Sequence, residues 1–313
     1  MNILITGASG FIGSFLCEEA LRRGYETWAG VRERSSRKYL QDERLQFAVL
    51  DMTNKQTLTK QLSRLNQKWD VIVHAGGATK CLTADEFRKN NFECTTNFIE
   101  VLQALNLMPQ QFIYISSYSV IGNSQYGASK LMTEEWIEKQ RDIPYVFFRP
   151  TGVYGPRERD YFIMAQSIKN HVDFAVGTNQ QLTFIYVADL VGAVFAAIDK
   201  GVCRRTYNVA DGNVYESSTF SDLIQKELGV RFVVHIKAPL WFLKVVTTLS
   251  DWWARNVTKR PTTLNKDKYH IMAQRDWTCD IIPLLTELDF KPEWNLERGV
   301  KETIRWYKEN HWL

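Results

Sequence analysis

Apolar positions arrive in short dense runs, separated by segments of helical period. Ile3-Leu4-Ile5, Glu26-Thr27-Trp28-Ala29-Gly30-Val31, Leu45-Gln46-Phe47-Ala48-Val49-Leu50 and Asp70-Val71-Ile72-Val73-His74 each suit one strand. Phe112-Ile113-Tyr114-Ile115 and Tyr145-Val146-Phe147-Phe148 continue the series. Helices are predicted between them: one with an apolar stripe at Phe11, Phe15, Leu16 and Ala20, then about 55–66, 84–107 and 126–140. The segment 84–107 places Phe87, Asn91, Phe92, Thr95, Phe98, Ile99, Leu102 and Leu105 close to helical period, so it predicts one continuous helix. Apolar strands alternating with helices predict an α/β fold with a parallel sheet covered on both faces.

The pattern changes after Pro150. Gly152, Gly155 and Pro156 mark a loop, followed by a helix near 160–169, a strand at 183–187, a helix at 188–198 and a strand at 206–210. Residues 218–313 read as mostly helical, with one strand at Phe232–Ile236. This order predicts one domain from 1–155 plus 181–210, interleaved with a smaller, mostly helical lobe from 156–180 plus 211–313. Pro239-Leu240-Trp241-Phe242-Leu243-Lys244-Val245-Val246 through Trp252-Trp253 predicts an aromatic amphipathic helix. It reads as a core helix or pocket wall of the small lobe rather than a membrane-surface helix, because it is short and lacks a polybasic face.

Between the first strand and helix lies Gly7-Ala8-Ser9-Gly10-Phe11-Ile12-Gly13. Strand, glycine turn and helix is the context of a dinucleotide fingerprint. Glycines let the backbone approach a pyrophosphate, and the helix start supplies N–H donors and a positive dipole end. With this turn the fold is expected to be a Rossmann-type, doubly wound parallel sheet.

Composition narrows the classes further. The chain has 313 residues and a formal net charge of +4 with acids and bases interspersed, which gives no argument for nucleic acid as a partner. Cys17, Cys81, Cys94, Cys203 and Cys279 are scattered without a CxxC or a His/Cys cluster, so neither a disulfide framework nor a metal site is expected. No apolar run reaches 18 residues, so no membrane-spanning helix is expected. Met1-Asn2 leads straight into the first strand, and the expected location is cytoplasmic.

Tyr126-Gly127-Ala128-Ser129-Lys130 carries the candidate chemistry. On a helix a phenol and an ammonium four residues apart share one face. The cation is expected to lower the tyrosine pKa toward neutrality, as a general acid/base requires. His74 sits at a strand end and reads as packed beside a cofactor. Asp189 and Asp211 read as helix-start and turn residues.

Taken with the glycine turn, several ordered segments resemble the extended short-chain dehydrogenase/reductase superfamily, also called the NAD-dependent epimerase/dehydratase family. Thr6 to Gly13 is similar to its TGxxGxxG motif, and Asp51-Met52 to the position after strand three that touches adenine. His74-Ala75-Gly76-Gly77 falls where the family has HLAA. Asn91 to Asn97 resembles NVxGTxN with Cys94 in place of glycine, and Ile115 to Gly122 resembles SSxxVYG. Arg149-Pro150-Thr151-Gly152-Val153-Tyr154-Gly155-Pro156-Arg157 resembles RPxxVYGPR. That wording and the tail (Pro239, the Trp-rich helix, Pro261-Thr262, Phe290-Lys291-Pro292, Trp306) lean toward the 3β-hydroxysteroid dehydrogenase-like branch.

The resemblance implies hydride transfer between nicotinamide and a secondary alcohol or ketone on a nucleotide sugar, a sterol-like molecule or a small hydroxy-ketone, with epimerase and dehydratase chemistry also open. It implies Tyr126 as proton donor or acceptor, Lys130 as its partner at the nicotinamide ribose, Ser117 on the same substrate oxygen, and Asn91 near the site. Cofactor contacts are implied for Gly7, Ser9, Gly10, Phe11, Ile12, Gly13, Asp51, Met52, Ala75, Gly76, Gly77, Pro150 and Val153. Arg32, Arg34, Ser35, Arg37 and Lys38 crowd the end of the second strand, where an acid would favour NAD, so NADP is expected, with NAD as the alternative. Arg32 and Arg37 are the residues expected at the 2′-phosphate. A homodimer through the helices at 84–107 and 126–140 is implied as well. Ser117 and Tyr126 lie only nine positions apart, which weakens the case for a nucleotide sugar. The competing class is a non-catalytic dinucleotide-binding regulator or scaffold, against which stands the joint presence of Ser117, Tyr126 and Lys130.

Overall fold

The structure, a computed structural model, describes residues 1–176, 180–262, 265–274 and 276–313. The parts of the predicted small lobe at 177–179, 263–264 and 275 lie outside the described residues. The chain begins β1 (Asn2–Thr6), α1 (Phe11–Arg22), β2 (Glu26–Val31), β3 (Gln46–Val49), α2 (Lys55–Leu65) and β4 (Val71–His74). It continues α3 (Ala84–Phe87), α4 (Cys94–Ala104), β5 (Gln111–Ile115), α5 (Gln125–Glu138) and β6 (Tyr145–Pro150). After β7 (Gly152–Tyr154), α6 (Asp160–Lys169), β8 (Val172–Val176), β9 (Gln181–Leu182), β10 (Phe184–Tyr186) and α7 (Val187–Asp199) comes β11 (Arg205–Val209).

Seven strands form one sheet in the order β11-β6-β5-β4-β1-β2-β3, and every neighbouring pair is parallel. Their apolar runs are buried because helices cover both faces. Leu16, Ala20, Leu190 and Val194 of α1 and α7 pack on one face, and Leu58, Leu62, Phe98 and Leu102 of α2 and α4 on the other. The order of connection reverses between β1 and β4, where Thr6 pairs with His74, and this opens a crevice at the carboxyl ends of the strands.

The predicted helix over 84–107 is interrupted. Arg88–Glu93 forms a π turn between α3 and α4, and the last helical residue is Ala104. Within it the Thr95 hydroxyl donates to the Asn91 carbonyl at 2.6 Å. Side-chain period alone carries no sign of such an insertion. The expected loop after Pro150 holds the short strand β7, which pairs with β10. The strand β8, given no element in the sequence reading, pairs with β13 (Val234–Ala238), which lies two residues later than the expected strand.

The remaining chain contains β12 (Tyr215–Glu216), α8 (Thr219–Leu228), α9 (Leu240–Trp253), α10 (Lys266–Ala273), β14 (Asp276–Trp277), α11 (Ile282–Glu287) and α12 (Leu296–Glu309). Tyr154, Phe184, Phe220, Leu296, Ile304 and Tyr307 lie in a separate core between α6, α8 and α12. Asp211 works within its turn, as expected, whereas Asp189, in the first turn of α7, makes no cap bond to its own helix and reaches across the fold instead. Asp189 accepts the backbone N–H groups of Glu293 and Trp294 at 3.1 and 2.9 Å, and Asp211 accepts from Asn213 at 2.9 Å within its turn. The Trp-rich helix departs from expectation: Trp241, Phe242, Leu249, Trp252 and Trp253 are exposed, not core. Its inward stripe is Leu243, Thr247, Asp251 and Ala254, which carries no aromatic side chain and lies on a helix packed against α10.

Two buried details position the crevice. His74 lies in the aromatic layer of Phe98, Phe112 and Tyr114, with Nδ1 at 2.6 Å from Thr6 Oγ1 and Nε2 at 3.0 Å from Thr95 Oγ1. Burial and the nearby Lys130 push its pKa down to about 3, so it stays neutral. Gly127 lets α5 approach the Ser117–Ser119 backbone, since a Cβ there would fall 2.0 Å from the Ser119 carbonyl oxygen.

Two outcomes follow. Unfolding must protonate His74 below its ordinary pKa of 6.5, so its contribution is complete above pH 6.5 and is lost as pH falls toward about 3. Replacing His74 by Gln is expected to reduce the acid slope of stability by up to ~1.4 kcal/mol per pH unit, read from urea titrations between pH 4 and 7. Gly127→Ala is expected to lower stability by about 1–3 kcal/mol and to displace Ser117, checked by thermal melting and by loss of turnover at unchanged cofactor affinity.

Candidate active site

Two clefts meet behind α5. The first, about 320 Å³, lies over the carboxyl ends of β1 and β4. Its walls include Gly7, Ser9, Gly10, Arg32, Asp51 and Met52 on one side and Ala75, Gly76 and Gly77 on the other. Gly7 has φ +68°, and a Cβ on Gly13 would fall 2.2 Å from the Gly7 carbonyl oxygen, so the turn and α1 pack closer than any side chain allows. The amino end of α1, with Gly10 as its cap and no capping side chain, faces this turn with free N–H groups. A cradle of glycine backbone at a helix start, open along its length, fits the pyrophosphate of a dinucleotide.

The cleft continues past β2 and β3, where Arg32, Arg34, Ser35, Asp51 and Gln61 form its walls. Asp51 turns its carboxylate to Thr53, which donates from N at 3.0 Å. Of the other cations expected there, Arg37 stacks on Phe47 with its guanidinium carbon 4.3 Å from the ring centre, and Lys38 lies over Tyr39. Phe11, Ile12 and Val153 pack against the core beneath α1, and Pro150 lines the second cleft instead.

That second cleft, about 400 Å³, lies between the parallel sheet and the helical segments that follow it. Ser117 and Tyr126 form its inner wall, facing Tyr161, Phe184, Phe220 and Trp277. The cation on its described lining, Lys80, is ion-paired to Asp160 at 2.5 Å. Ser117 caps a short 3-10 turn, its hydroxyl accepting from Ser119 N at 3.1 Å, so its place is set by backbone.

Lys130 and Asn91 occupy the partition between the clefts. An added Cβ on Gly77 would sit 3.1 Å from Asn91 Oδ1 and 3.2 Å from Lys130 Nζ. Lys130 donates to the Ile115 carbonyl at 2.9 Å and lies over the Tyr114 ring at 4.6 Å. Asn91 accepts from Ala78 N at 2.7 Å and donates to Ala78 O at 3.0 Å, bracing the Gly76–Ala78 strip. Its amide also reaches Ser129 Oγ at 2.9 Å.

The electrostatics differ from the expectation. Burial pushes the Tyr126 phenol up to about 12, against the opposing pull of the Ser117 hydroxyl, and the carboxylate of Asp267 adds to the rise. Burial also pulls Lys130 down to about 8, with Glu134 partly restoring it. Desolvation outweighs the spacing of phenol and ammonium, because both groups lie between protein layers rather than on a wet helix face. In this state the phenol holds its proton at neutral pH.

Several contributors left no signal in the sequence pattern. Asp267 of α10 accepts N–H groups from Gln125 and, at 3.4 Å, from Tyr126, so the small lobe caps the helix that carries the phenol. Ser124 caps the same end from within, accepting from Gly127 N at 2.9 Å. Glu134 is buried and ion-paired with Arg149 of β6, anchoring the far end of the Tyr126–Lys130–Glu134 row. Asp267 lies 141 residues from the backbone it caps, beyond the reach of any local motif. Among the described residues no group of His, Cys, Asp and Glu could hold a metal ion.

Known proteins with this arrangement are recognisable. The chain is 25% identical to the decarboxylating sterol-4-alpha-carboxylate 3-dehydrogenase of Candida albicans, over 99% of this chain and 98% of that one. It is 23% identical to a ceramide reductase of Caulobacter vibrioides, over 99% and 96%. Among solved structures, UDP-glucose 4-epimerase of Thermotoga maritima with UDP-glucose superposes at TM-score 0.78 with 19% identity, covering 99% of this chain and 100% of that one. The dTDP-glucose 4,6-dehydratase of Bacillus anthracis in complex with NAD gives 0.77 with 18% identity, covering 100% and 98%. The model of the NAD dependent epimerase/dehydratase family matches residues 3–210, more than half of the chain, and the protein therefore belongs to that family.

Proposed function

We propose that the protein is an NADP-dependent oxidoreductase acting on a secondary alcohol, or its ketone, carried by a largely apolar molecule. The observation that carries this reading is the placing of Ser117 and Tyr126 on the wall of an aromatic cleft whose lining cation, Lys80, is already paired. A nucleotide diphosphate would need unpaired cations there, whereas Tyr161, Met164, Phe184, Phe220 and Trp277 suit a ring system or alkyl chain. The curated relatives named for a sterol acid and for ceramide, each aligned over nearly the whole chain, support the same substrate class.

The glycine turn with Gly7, Ser9 and Gly10 would hold the pyrophosphate, with Arg32 at the adenosine end and Lys130 beside Gly77 at the nicotinamide end. When bound, the dinucleotide supplies the hydride exchange. The protein's own part is placement and proton transfer. Ser117 holds the substrate oxygen against Tyr126; the phenol gives its proton to a ketone oxygen in reduction, and the phenolate left behind takes one from an alcohol in the reverse direction. The buried ammonium of Lys130 sets the potential around both. Asn91 keeps the Gly76–Ala78 strip in place. The division into 1–155 plus 181–210 and 156–180 plus 211–313 is our working description of the two functional parts. A homodimer across α4 and α5 accords with the exposed Met132 and half-buried Trp136 on α5.

Three outcomes are expected. NADPH-linked turnover of a sterol or long-chain ketone falls at least ~100-fold in Tyr126→Phe with cofactor affinity unchanged; an unaffected rate ends the proposal. Arg32→Ala weakens NADPH binding roughly tenfold and leaves NADH binding as it was, measured by fluorescence titration. Lys130→Met abolishes turnover yet stabilises the cofactor-free protein by about 1–3 kcal/mol at pH 7. The sign follows from a folded pKa of about 8 below the ordinary 10.5: the burial cost is full below pH 8 and gone above 10.5, so the stabilisation should vanish over that range.

A further inference from the structure

The face formed by α9 is inverted with respect to water. At helical period, Trp241, Val245, Leu249 and Trp252 lie along one side with Phe242 and Trp253 beside them, directly opposite the buried stripe Leu243, Thr247, Asp251 and Ala254. Trp241 is 69% exposed and Leu249 62%. The β8–β13 ribbon just before it repeats the inversion: Phe174 pairs with Ile236, and Phe174, Val234 and Ile236 are all exposed. Soluble domains rarely leave so many large apolar side chains in water without an occupant for them.

The surrounding charge names the occupant. Residues 229–262 carry six Lys and Arg against one acid, a net +5 that exceeds the +4 of the entire chain. Arg231, Lys237, Lys244, Arg255, Lys259 and Arg260 are all exposed, while the acid, Asp251, is buried and paired with Arg255 at 3.0 Å. These cations come from three successive segments, so no polybasic run exists along the helix itself. A basic rim around tryptophans and aliphatics is complementary to an anionic lipid surface and repels a second copy of itself.

We propose that this face is a monotopic docking surface for an anionic bilayer, with the α9 apolar side in the headgroup–acyl boundary. No described helix is long and apolar enough to span, so the contact is interfacial. The surface reaches the substrate cleft: Phe174 belongs both to the exposed ribbon and to the cleft lining, and Ile271 and Met272 of α10, packed on α9, line it too. An apolar substrate would pass from the bilayer to Tyr126 without crossing water. The docking claim does not depend on the substrate assignment.

The test is sedimentation of the intact protein with vesicles of phosphatidylcholine alone or with about 30 mol% phosphatidylglycerol. Binding at least tenfold stronger to the anionic vesicles, and weakened by 0.5 M salt, is expected. Trp252→Asp with Trp253→Asp should abolish it while NADPH binding and the melting temperature persist. Should that variant misfold, Lys244→Glu with Lys259→Glu and Arg260→Glu, which touches only exposed side chains, should reduce binding at least tenfold. Absence of pelleting, pelleting equal in all variants, or concentration-dependent self-association that is lost in these variants without any vesicle binding would overturn the proposal. Unchanged vesicle binding in Tyr126→Phe separates this result from the fate of the catalytic reading.

Discussion

One buried ammonium organises the candidate site. Lys130 stands in the wall between two clefts, where it donates to the Ile115 carbonyl and lies over the face of Tyr114. A cation held there is costly, and the cost is local to the place where a dinucleotide and a substrate carbonyl would meet. The neighbouring features follow from it. His74 stays neutral beside it, Gly77 leaves room for it, and Asn91 closes the strip that passes in front of it. The Arg149–Glu134 pair fixes the next turn of the same helix. The site is thus an electrostatic arrangement assembled on rigid elements, and its stability is partly given up for that arrangement.

The sheet was legible in the sequence because its central strands β1, β4, β5 and β6 are buried on both faces and read as nearly unbroken apolar runs. The glycine turn was legible for a related reason: backbone contact closer than a methyl group leaves a compositional trace at Gly7 and Gly13. Ser117, Tyr126 and Lys130 were found through ordered motifs, and the structure brings Ser117 and Tyr126 to one wall with Lys130 behind them. Their proton affinities were not legible. Spacing reports that two groups share a helix face, whereas the depth of protein over that face decides which form is favoured.

The second part of the chain was harder for a physical reason. A hydrophobic helix without a polybasic face reads as a core helix, so its apolar residues are expected to point inward. In α9 the stripe that meets protein is Leu243, Thr247, Asp251 and Ala254, and the tryptophans face out. The π turn at Arg88–Glu93 escaped notice similarly, because one inserted residue shifts the helical register without changing its composition. Both cases show pattern fixing that a helix exists without fixing which side of it has a neighbour.

The Asp267 cap links these two halves. The carboxylate that receives the first N–H groups of α5 belongs to α10, the helix packed on α9 and lining the substrate cleft. Any displacement of α10 therefore withdraws a carboxylate from the amino end of α5 and leaves that end to the Ser124 cap. The first turn under Tyr126 is thus held by a segment far along the chain, and whatever crowds Ile271 and Met272 on that segment bears on the seating of the phenol as well.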